Sequence, residues 1–163
     1  MKKIVLITGA NGMLAKALAS HLSNDYDIRF LSRGKSKPNE FFWDPSQNFI
    51  DSEALVGVHH IIHLAGATIG NKRWTNKRKN LILSSRVDGA NLIRKELSKN
   101  HQVIESFISI SGVGYYGTVT SEKKFDELSP NGNDFLAQVC KEWEQACQAF
   151  ETEHIAKRTA IIR

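Results

Sequence analysis

The chain has 163 residues, of which 41% are hydrophobic and 24% are charged, and it carries a formal charge of +5 at pH 7. This length and composition predict one globular domain with a sizeable core, and they exclude a disordered or collagen-like chain. No apolar run approaches the roughly 20 residues of a membrane span. We therefore expect a soluble, cytoplasmic protein with no membrane partner.

The N-terminus carries an apolar strand at residues 4–8, a glycine-rich turn and then a helix. The leucines of this helix share one face: Leu14, Leu18 and Leu22. This order of elements aims free backbone N–H groups and the positive end of the helix dipole at one point, where a pyrophosphate binds. Gly9 permits the tight turn, Gly12 lets the backbone approach the phosphates, and Ala15 replaces the third glycine of the usual pattern. The turn predicts a dinucleotide site held by Gly9, Asn11, Gly12, Met13 and Leu14.

A second short strand, at residues 27–32, ends at Arg33. In dinucleotide-binding folds the end of this strand meets the adenosine ribose, and an acidic residue there favours NAD. Ser32 and Arg33 instead supply a hydroxyl and a guanidinium, and arginine forms bidentate bonds to phosphate. We expect NADP as the cofactor, with NAD less favoured. The alternative is that Arg33 is a solvated charge at a strand end.

Residues 41–44 predict an aromatic strand stopped by a proline, and residues 51–55 a brief helix. A nearly continuous apolar strand follows at residues 58–67 and ends in small side chains. Small side chains let a cofactor lie against the backbone, so we assign Leu64, Ala65 and Gly66 to the adenosine side. His60 and His63 lie on opposite faces of this strand, and we therefore expect no metal site.

A long helix is predicted at residues 77–99, and it overlaps the basic stretch 72–79. This stretch favours either a nucleic-acid surface or, more simply, a solvated helix face, and we prefer the second interpretation. Arg86 on the helix either reaches the cofactor or is solvated. Cys140 and Cys147 are too far apart along a predicted helix at residues 135–150 to form a disulfide.

The next strand, at residues 103–111, runs into a glycine-rich segment at the same edge of the sheet. Ser109 and Ile110 are assigned to the nicotinamide side of the cofactor. Ser111 is a candidate hydrogen-bonding group, and Tyr115 and Tyr116 are candidate proton donors, although both tyrosines serve equally well as packing aromatics. A final strand begins near residue 156. Alternating strands and helices predict a Rossmann fold, a three-layer α/β architecture with a doubly wound parallel sheet in the order 3-2-1-4-5-6.

Several motifs together resemble the extended short-chain dehydrogenase/reductases, the NAD-dependent epimerase/dehydratase group, and within it the epimerase-like nucleotide-sugar branch. The motifs cover essentially the whole chain: T-G-A-N-G at 8–12, H-L-A-G-A-T-I at 63–69, R-W-T at 73–75, S-R-V at 85–87, S-G-V-G-Y-Y-G at 111–117 and F-L-A-Q-V-C-K-E-W-E at 135–144. The resemblance implies a small hydroxylated or carbonyl substrate, such as a nucleotide sugar. It also implies a homodimer paired through the two longer helices.

The chain departs from that group at the catalytic tyrosine and lysine, which the resemblance places four residues apart on the last helix. Those positions fall near Phe135 or Leu136 and near Val139 or Cys140, and the group's serine position falls on Gly112. Members of the group are also longer than this chain, and their C-terminal part supplies most of the substrate pocket. We therefore expect residues 1–163 to form an NAD(P)-binding domain without a substrate domain, with a cleft open to water.

Three functions stay open at this point. The first is an NADP-dependent oxidoreductase or epimerase whose acid/base group has moved, with Tyr116, Tyr115 and Ser111 as the candidates. The second is a cofactor-binding protein without turnover, such as a redox-sensing or regulatory module, which an intact phosphate turn without the Tyr–Lys pair would favour. The third is a nucleic-acid-binding protein, which we consider the weakest and do not expect.

Overall fold

A computed structural model of the chain describes residues 1–34, 38–70, 72–118 and 122–163. These ranges contain seven strands and three α-helices, and between the first two α-helices four strands follow one another with only 3-10 turns and loops between them. The strands are β1 Lys3–Thr8, β2 Tyr26–Ser32, β3 Glu40–Asp44, β4 Phe49–Ile50, β5 Val58–His63, β6 Ser106–Ile110 and β7 Thr159–Ile162. The helices are α1 Met13–Leu22, α2 Asn76–Lys99 and α3 Phe135–Thr152.

All seven strands form one sheet in the order β4-β3-β2-β1-β5-β6-β7. Every neighbouring pair is parallel except β3 and β4, which are antiparallel. With β4 set aside, this is the predicted order 3-2-1-4-5-6, so the Rossmann topology is confirmed. The sequence gives no periodic signal for β4 because that strand has only two residues.

Two predicted strands are shorter than their apolar runs suggested. The strand predicted at residues 58–67 ends at His63, because the backbone N–H groups of Leu64 and Ala65 donate to the hydroxyl of Thr8 instead of to a strand. The strand predicted at residues 103–111 begins at Ser106. The brief helix expected at 51–55 is a single 3-10 turn over Ser52–Ala54.

The two longer helices begin at side-chain caps, as their sequences favour. Thr75 accepts a hydrogen bond from the N–H of Arg78 at the start of α2. Asp134 accepts one from the N–H of Ala137 at the start of α3. Such caps satisfy donors that the first helical turn leaves open. Both helices therefore begin within one residue of the predicted positions.

The helices lie on both faces of the sheet and create two cores. The larger core lies under α2 and α3 and includes the stacked rings of Phe107 and Phe150. The smaller core lies under α1, where Ala15 is buried. The predicted leucine face is shifted, because Leu14 is 44% exposed while Leu18 packs against this smaller core.

Two further properties of the chain follow from the side chains and the helices. Cys140 and Cys147 are both free thiols, buried on α3. No helix in the described ranges is long and apolar enough to cross a membrane.

Candidate functional site

The turn between β1 and α1, where the sequence predicts a phosphate site, is tightly closed. Gly9 has a φ of +79°, a conformation that strains residues with a side chain, and a Cβ there would lie 3.3 Å from the backbone nitrogen of Ala65. The N–H of Gly12 donates to the carbonyl of Gly9 at 2.8 Å and closes the turn. The backbone is thereby folded tightly at the carboxyl end of β1.

The start of α1 presents free backbone donors at this turn. Gly12 is the residue before the helix and has no side chain to cap it. The first N–H groups of a helix have no partner within the helix, so those of Met13 and Leu14 stay open to an anion. Asn11 is exposed beside them, and the methyl of Ala15 is buried toward the sheet, as close packing of helix on strand requires.

A buried hydrogen-bonded pair, Thr8 and His63, fixes β5 against the turn. The Thr8 hydroxyl accepts hydrogen bonds from the N–H groups of Leu64 and Ala65 at 3.0 and 2.9 Å. Its own proton is therefore directed to Nδ1 of His63, 3.1 Å away, which leaves the His63 Nε2–H to donate to the carbonyl of Arg86. Burial lowers the pKa of His63 to about 4, so the ring is neutral at pH 7.

The carboxyl end of β2 brings Ser32 and Arg33 to the cleft, together with an acidic group from the next strand. The Ser32 side chain is buried, and its hydroxyl donates to the carbonyl of Gly34. Arg33 is exposed. Asp44 stands nearby at the end of β3, where hydrogen bonds from Ser46 and, more weakly, the charge of Arg33 lower its pKa. The acid that the end of β2 lacks is therefore supplied by β3.

These elements surround a cleft of about 600 Å³ at the carboxyl edge of the sheet. It extends from the end of β3, across the β1–α1 turn, to the N-terminal half of α2. Predicted residues in its lining are Gly9, Asn11, Gly12, Ser32, Arg33, Leu64, Ala65 and Gly66. The sequence did not single out Trp43, Asp44, Ser46, Arg78, Ser84, Ser85 or Asp88, which also line it.

The candidate catalytic residues Ser111, Tyr115 and Tyr116 lie beyond this cleft, after β6, and two charged residues join them. The Ser111 hydroxyl donates to Oε1 of Glu144 at 2.6 Å. Arg163 binds both oxygens of Glu144, at 3.0 and 2.7 Å, and donates from Nη1 to the Tyr116 hydroxyl at 3.1 Å. Its guanidinium carbon lies 3.7 Å from the centroid of the Tyr115 ring.

The hydrogen bonds of this cluster determine which atom donates and which accepts. The Tyr116 hydroxyl accepts from Arg163, so its own proton goes to the carbonyl of Asp126, 2.9 Å away. Hydrogen bonds with Glu144 raise the pKa of Arg163 above its usual range, so the guanidinium is permanently charged. Glu144 is only 4% exposed, and the ion pair compensates its burial.

The sequence also assigned Ser109, Ile110 and Arg86 to the cofactor site. None of these three residues is fully exposed. The Ser109 side chain is 1% exposed and packs toward Cys147 of α3, so its hydroxyl does not face a cleft. Ile110 is partly exposed at the end of β6. Arg86 is not solvated, because only 8% of it is exposed and its guanidinium lies against Gly66.

The helix that would carry a Tyr–Lys pair holds apolar side chains at those positions. A Cβ on Gly114 would lie 3.6 Å from Cβ of Leu136 and 3.9 Å from Sγ of Cys140, so both side chains face the segment after β6. Burial raises the pKa of the Cys140 thiol, which therefore stays protonated. The sequence missed Glu144 and Arg163. The sequence feature that could have identified Glu144 is an acid on the otherwise apolar stripe of α3. For Arg163 it is a cation at the end of an apolar strand.

Two side chains of the basic stretch 72–79 contact other parts of the chain. Arg78 donates to the carbonyl of Thr68, and the Lys79 ammonium lies 5.2 Å from the centroid of the Phe135 ring. No cluster of three or more histidine, cysteine or acidic residues in the described ranges could hold a metal ion.

Comparison with known proteins places this geometry in context. Residues 5–154 match the profile of the NAD dependent epimerase/dehydratase family. An epimerase family protein of Mycobacterium leprae is 32% identical over 99% of this chain and 53% of its own length. A chloroplastic epimerase family protein of Arabidopsis thaliana is 35% identical over 86% of this chain and 43% of its own. The chain spans about half the length of such curated relatives.

Solved structures show the same likeness. The crystal structure of a nucleoside-diphosphate sugar epimerase from Corynebacterium glutamicum has a TM-score of 0.80 at 31% identity, covering 100% of this chain and 34% of that one. The structure of a human epimerase family protein with NADPH has a TM-score of 0.73 at 27% identity, covering 88% of this chain and 48% of that one.

Proposed function

The chain belongs to the NAD-dependent epimerase/dehydratase family, and we propose that it binds NADP(H) in the cleft along β1, β2 and β5. It would then form the cofactor-binding part of an epimerase-like oxidoreductase. The substrate class that fits the family is a nucleotide sugar or a similar small hydroxylated or carbonyl compound. The Corynebacterium glutamicum relative, named as a nucleoside-diphosphate sugar epimerase, supports this class.

One observation carries the proposal: the uncapped start of α1 above a closed glycine turn. Open N–H groups at a helix start, with the positive end of the helix dipole, favour a negatively charged ligand. The positive φ of Gly9 and the Thr8–His63 pair hold the turn and β5 in register around that point. A pyrophosphate fits this position, with Asn11, Gly12, Met13 and Leu14 around it and Leu64, Ala65 and Gly66 across from it.

The choice of NADP rests on Arg33. Its exposed guanidinium at the end of β2 can form a bidentate pair with a 2′-phosphate, and Ser32 could add a hydroxyl by releasing the carbonyl of Gly34. Asp44 opposes this choice, because a carboxylate there suits unmodified ribose hydroxyls. However, Asp44 is already bonded to the N–H and hydroxyl of Ser46. The human relative solved with NADPH supports NADP.

NADP would supply hydride transfer, while the residues after β6 would orient the substrate. Since Ser111 donates its proton to Glu144, its oxygen can accept a hydrogen bond from a substrate hydroxyl. Ser109 and Ile110 would contribute backbone to the nicotinamide side. The proton of Tyr116 is bound to Asp126, so this tyrosine must break that bond before it can act as an acid.

The same contact favours a second candidate function. If Tyr116 keeps its bond to Asp126, the chain cannot use this tyrosine as a proton donor in place of the missing Tyr–Lys pair. It would then bind the cofactor without turnover, as a redox-sensing or regulatory protein does. Steady consumption of NADPH with a sugar-nucleotide substrate would separate the enzyme from this alternative.

Calorimetric titration with NADPH and NADH tests the proposed function. We expect the wild type to bind NADPH at least about tenfold more tightly, which corresponds to about 1.4 kcal/mol. Arg33→Ala should remove that preference. Arg158→Ala is the matched control, because Arg158 is exposed just before β7, at the opposite edge of the sheet. Failure of the wild type to bind either dinucleotide would refute the proposal.

A further inference from the structure

Arg86 is a buried cation that has no carboxylate partner among the residues that the structure describes. It projects from α2, is 8% exposed, and donates from Nη1 to the carbonyls of Ala67 and Ile82 at 3.1 and 2.9 Å. Its Nε and Nη2 make no hydrogen bond with any described residue, and it joins none of the ion pairs found in the described ranges. Buried charges are normally paired, so this guanidinium is unusual.

The groups around the Arg86 guanidinium interact with its charge but do not neutralise it. The guanidinium carbon lies 5.2 Å from the centroid of the Trp143 ring, a weak cation–π contact. The Cys140 thiol is close enough to interact electrostatically with Arg86, but burial raises the pKa of this thiol and keeps it neutral. Glu144 is committed to Arg163 and Ser111. Burial lowers the pKa of Arg86, yet a guanidinium remains protonated in proteins.

The charge lies behind Gly66, which lines the cleft, while Arg33 lines the cleft at the end of β2. A Cβ on Gly66 would be 2.9 Å from the Arg86 guanidinium carbon, so the group fills the space beside the exit of β5. From there it faces α3, whose Cys140 in turn packs against Gly114 of the segment after β6. A dinucleotide whose pyrophosphate lies at the β1–α1 turn and whose adenosine lies toward β2 must direct its nicotinamide toward β6. Arg86 therefore lies on the nicotinamide side.

We infer that Arg86 makes this site selective for the reduced cofactor, NADPH, over NADP⁺. This inference rests on the proposed function. The two forms differ at the nicotinamide ring, which carries a positive charge when oxidised and none when reduced. A permanent guanidinium nearby repels the oxidised ring, and the repulsion is strong because burial lowers the effective dielectric constant. The protein would hold NADPH ready to donate hydride, or respond to the NADPH level.

The test is calorimetric titration of the wild type with NADPH and with NADP⁺. Arg86→Gln removes the charge but keeps an amide donor, and Arg86→Lys replaces the guanidinium with an ammonium whose pKa burial lowers. Arg94→Gln is the matched control, because Arg94 lies on the same helix and pairs with Glu153 away from the cleft. Circular dichroism establishes that each variant is folded.

We expect the wild type to bind NADPH at least about tenfold more tightly than NADP⁺, and Arg86→Lys to show a preference that falls as the pH rises and the buried ammonium loses its proton. In Arg86→Gln the two dissociation constants should come within about threefold of each other, and in Arg94→Gln the wild-type ratio should persist. Equal affinities in the wild type, or an unchanged ratio in folded Arg86→Gln, would overturn the inference while leaving the proposed function intact. If the wild type binds neither form, the proposed function fails and the inference falls with it. Should Arg86→Gln not fold, the wild-type ratio and Arg86→Lys still decide.

Discussion

Acid should destabilise the protein through His63. Burial lowers the pKa of this ring from 6.5 to about 4, so between these values the unfolded chain binds a proton that the folded chain does not. The stabilising effect is complete above pH 6.5 and is lost as the pH falls toward 4. Each pH unit in this window costs about 1.4 kcal/mol, so the total loss is about 3 kcal/mol. That is a large share of the roughly 5–15 kcal/mol by which domains are stable.

Urea unfolding at a series of pH values from 7.5 to 4.5 measures this effect. Carboxylates with lowered pKa values, such as Glu105 beside Lys3, also lose their contributions in acid. Comparing the wild type with His63→Asn cancels these carboxylate contributions, because both proteins contain the same carboxylates. An asparagine oxygen can still accept from Thr8, so the variant is expected to fold at pH 7.5 with lower stability. His101→Asn controls for the loss of one histidine, since His101 is exposed and has a positive φ that asparagine tolerates.

The free-energy gap between wild type and His63→Asn should narrow by up to about 3 kcal/mol as the pH falls from 6.5 to 4.5. His101→Asn should follow the wild type throughout. Parallel stability curves for wild type and His63→Asn would refute the assignment of a neutral buried ring, and with it the proton direction from Thr8 to His63.

Three further outcomes test other parts of the structure. Asp134→Ala removes the cap of α3 and should cost about 1 kcal/mol, seen as a lower urea midpoint; no change would mean that the cap contributes nothing. Glu144→Gln leaves Arg163 without its partner and should cost about 3 kcal/mol by the same assay, whereas a neutral result would show that water replaces the ion pair. Raising the salt concentration to about 1 M, where the screening length is about 3 Å, should weaken the NADPH-over-NADH preference that exposed Arg33 provides. The NADPH-over-NADP⁺ preference proposed for buried Arg86 should persist in high salt. If salt weakened both preferences equally, the result would contradict the different burial of Arg33 and Arg86.

The fold and the glycine turn, at which we propose that the phosphates bind, could be predicted from sequence because backbone geometry builds them. Strand, glycine turn and helix follow one another within residues 4–22, so local spacing alone identifies the turn. Gly9 is needed for its φ and for its close approach to Ala65, and both requirements act on the backbone. Such local backbone requirements can therefore be recognised in the amino-acid sequence.

The contacts of the residues after β6, which the proposed function places on the nicotinamide side, could not be predicted in the same way, because the groups meet only in three dimensions. Ser111 and Glu144 are 33 residues apart, and Arg163 and Tyr116 are 47 apart. Periodicity placed Glu144 on a helix but gave no reason why an acid should stand on its buried side. The sequence likewise left open whether Arg86 was solvated, since a helical arginine is usually exposed.

The contrast between the glycine turn and the residues after β6 bears on how the chain could work without a Tyr–Lys pair. A tyrosine and a lysine supply a proton and a positive charge from one helix. In this chain Arg86 on α2 and Arg163 after β7 carry the positive charges and the hydroxyl groups follow β6, while α3 contributes Leu136 and Cys140 at the two positions. An arginine cannot release its proton at ordinary pH, so the separated groups can stabilise charge and order a ligand more readily than they can exchange protons. Under the proposed function, this division would favour selective binding of NADPH over rapid turnover by residues 1–163.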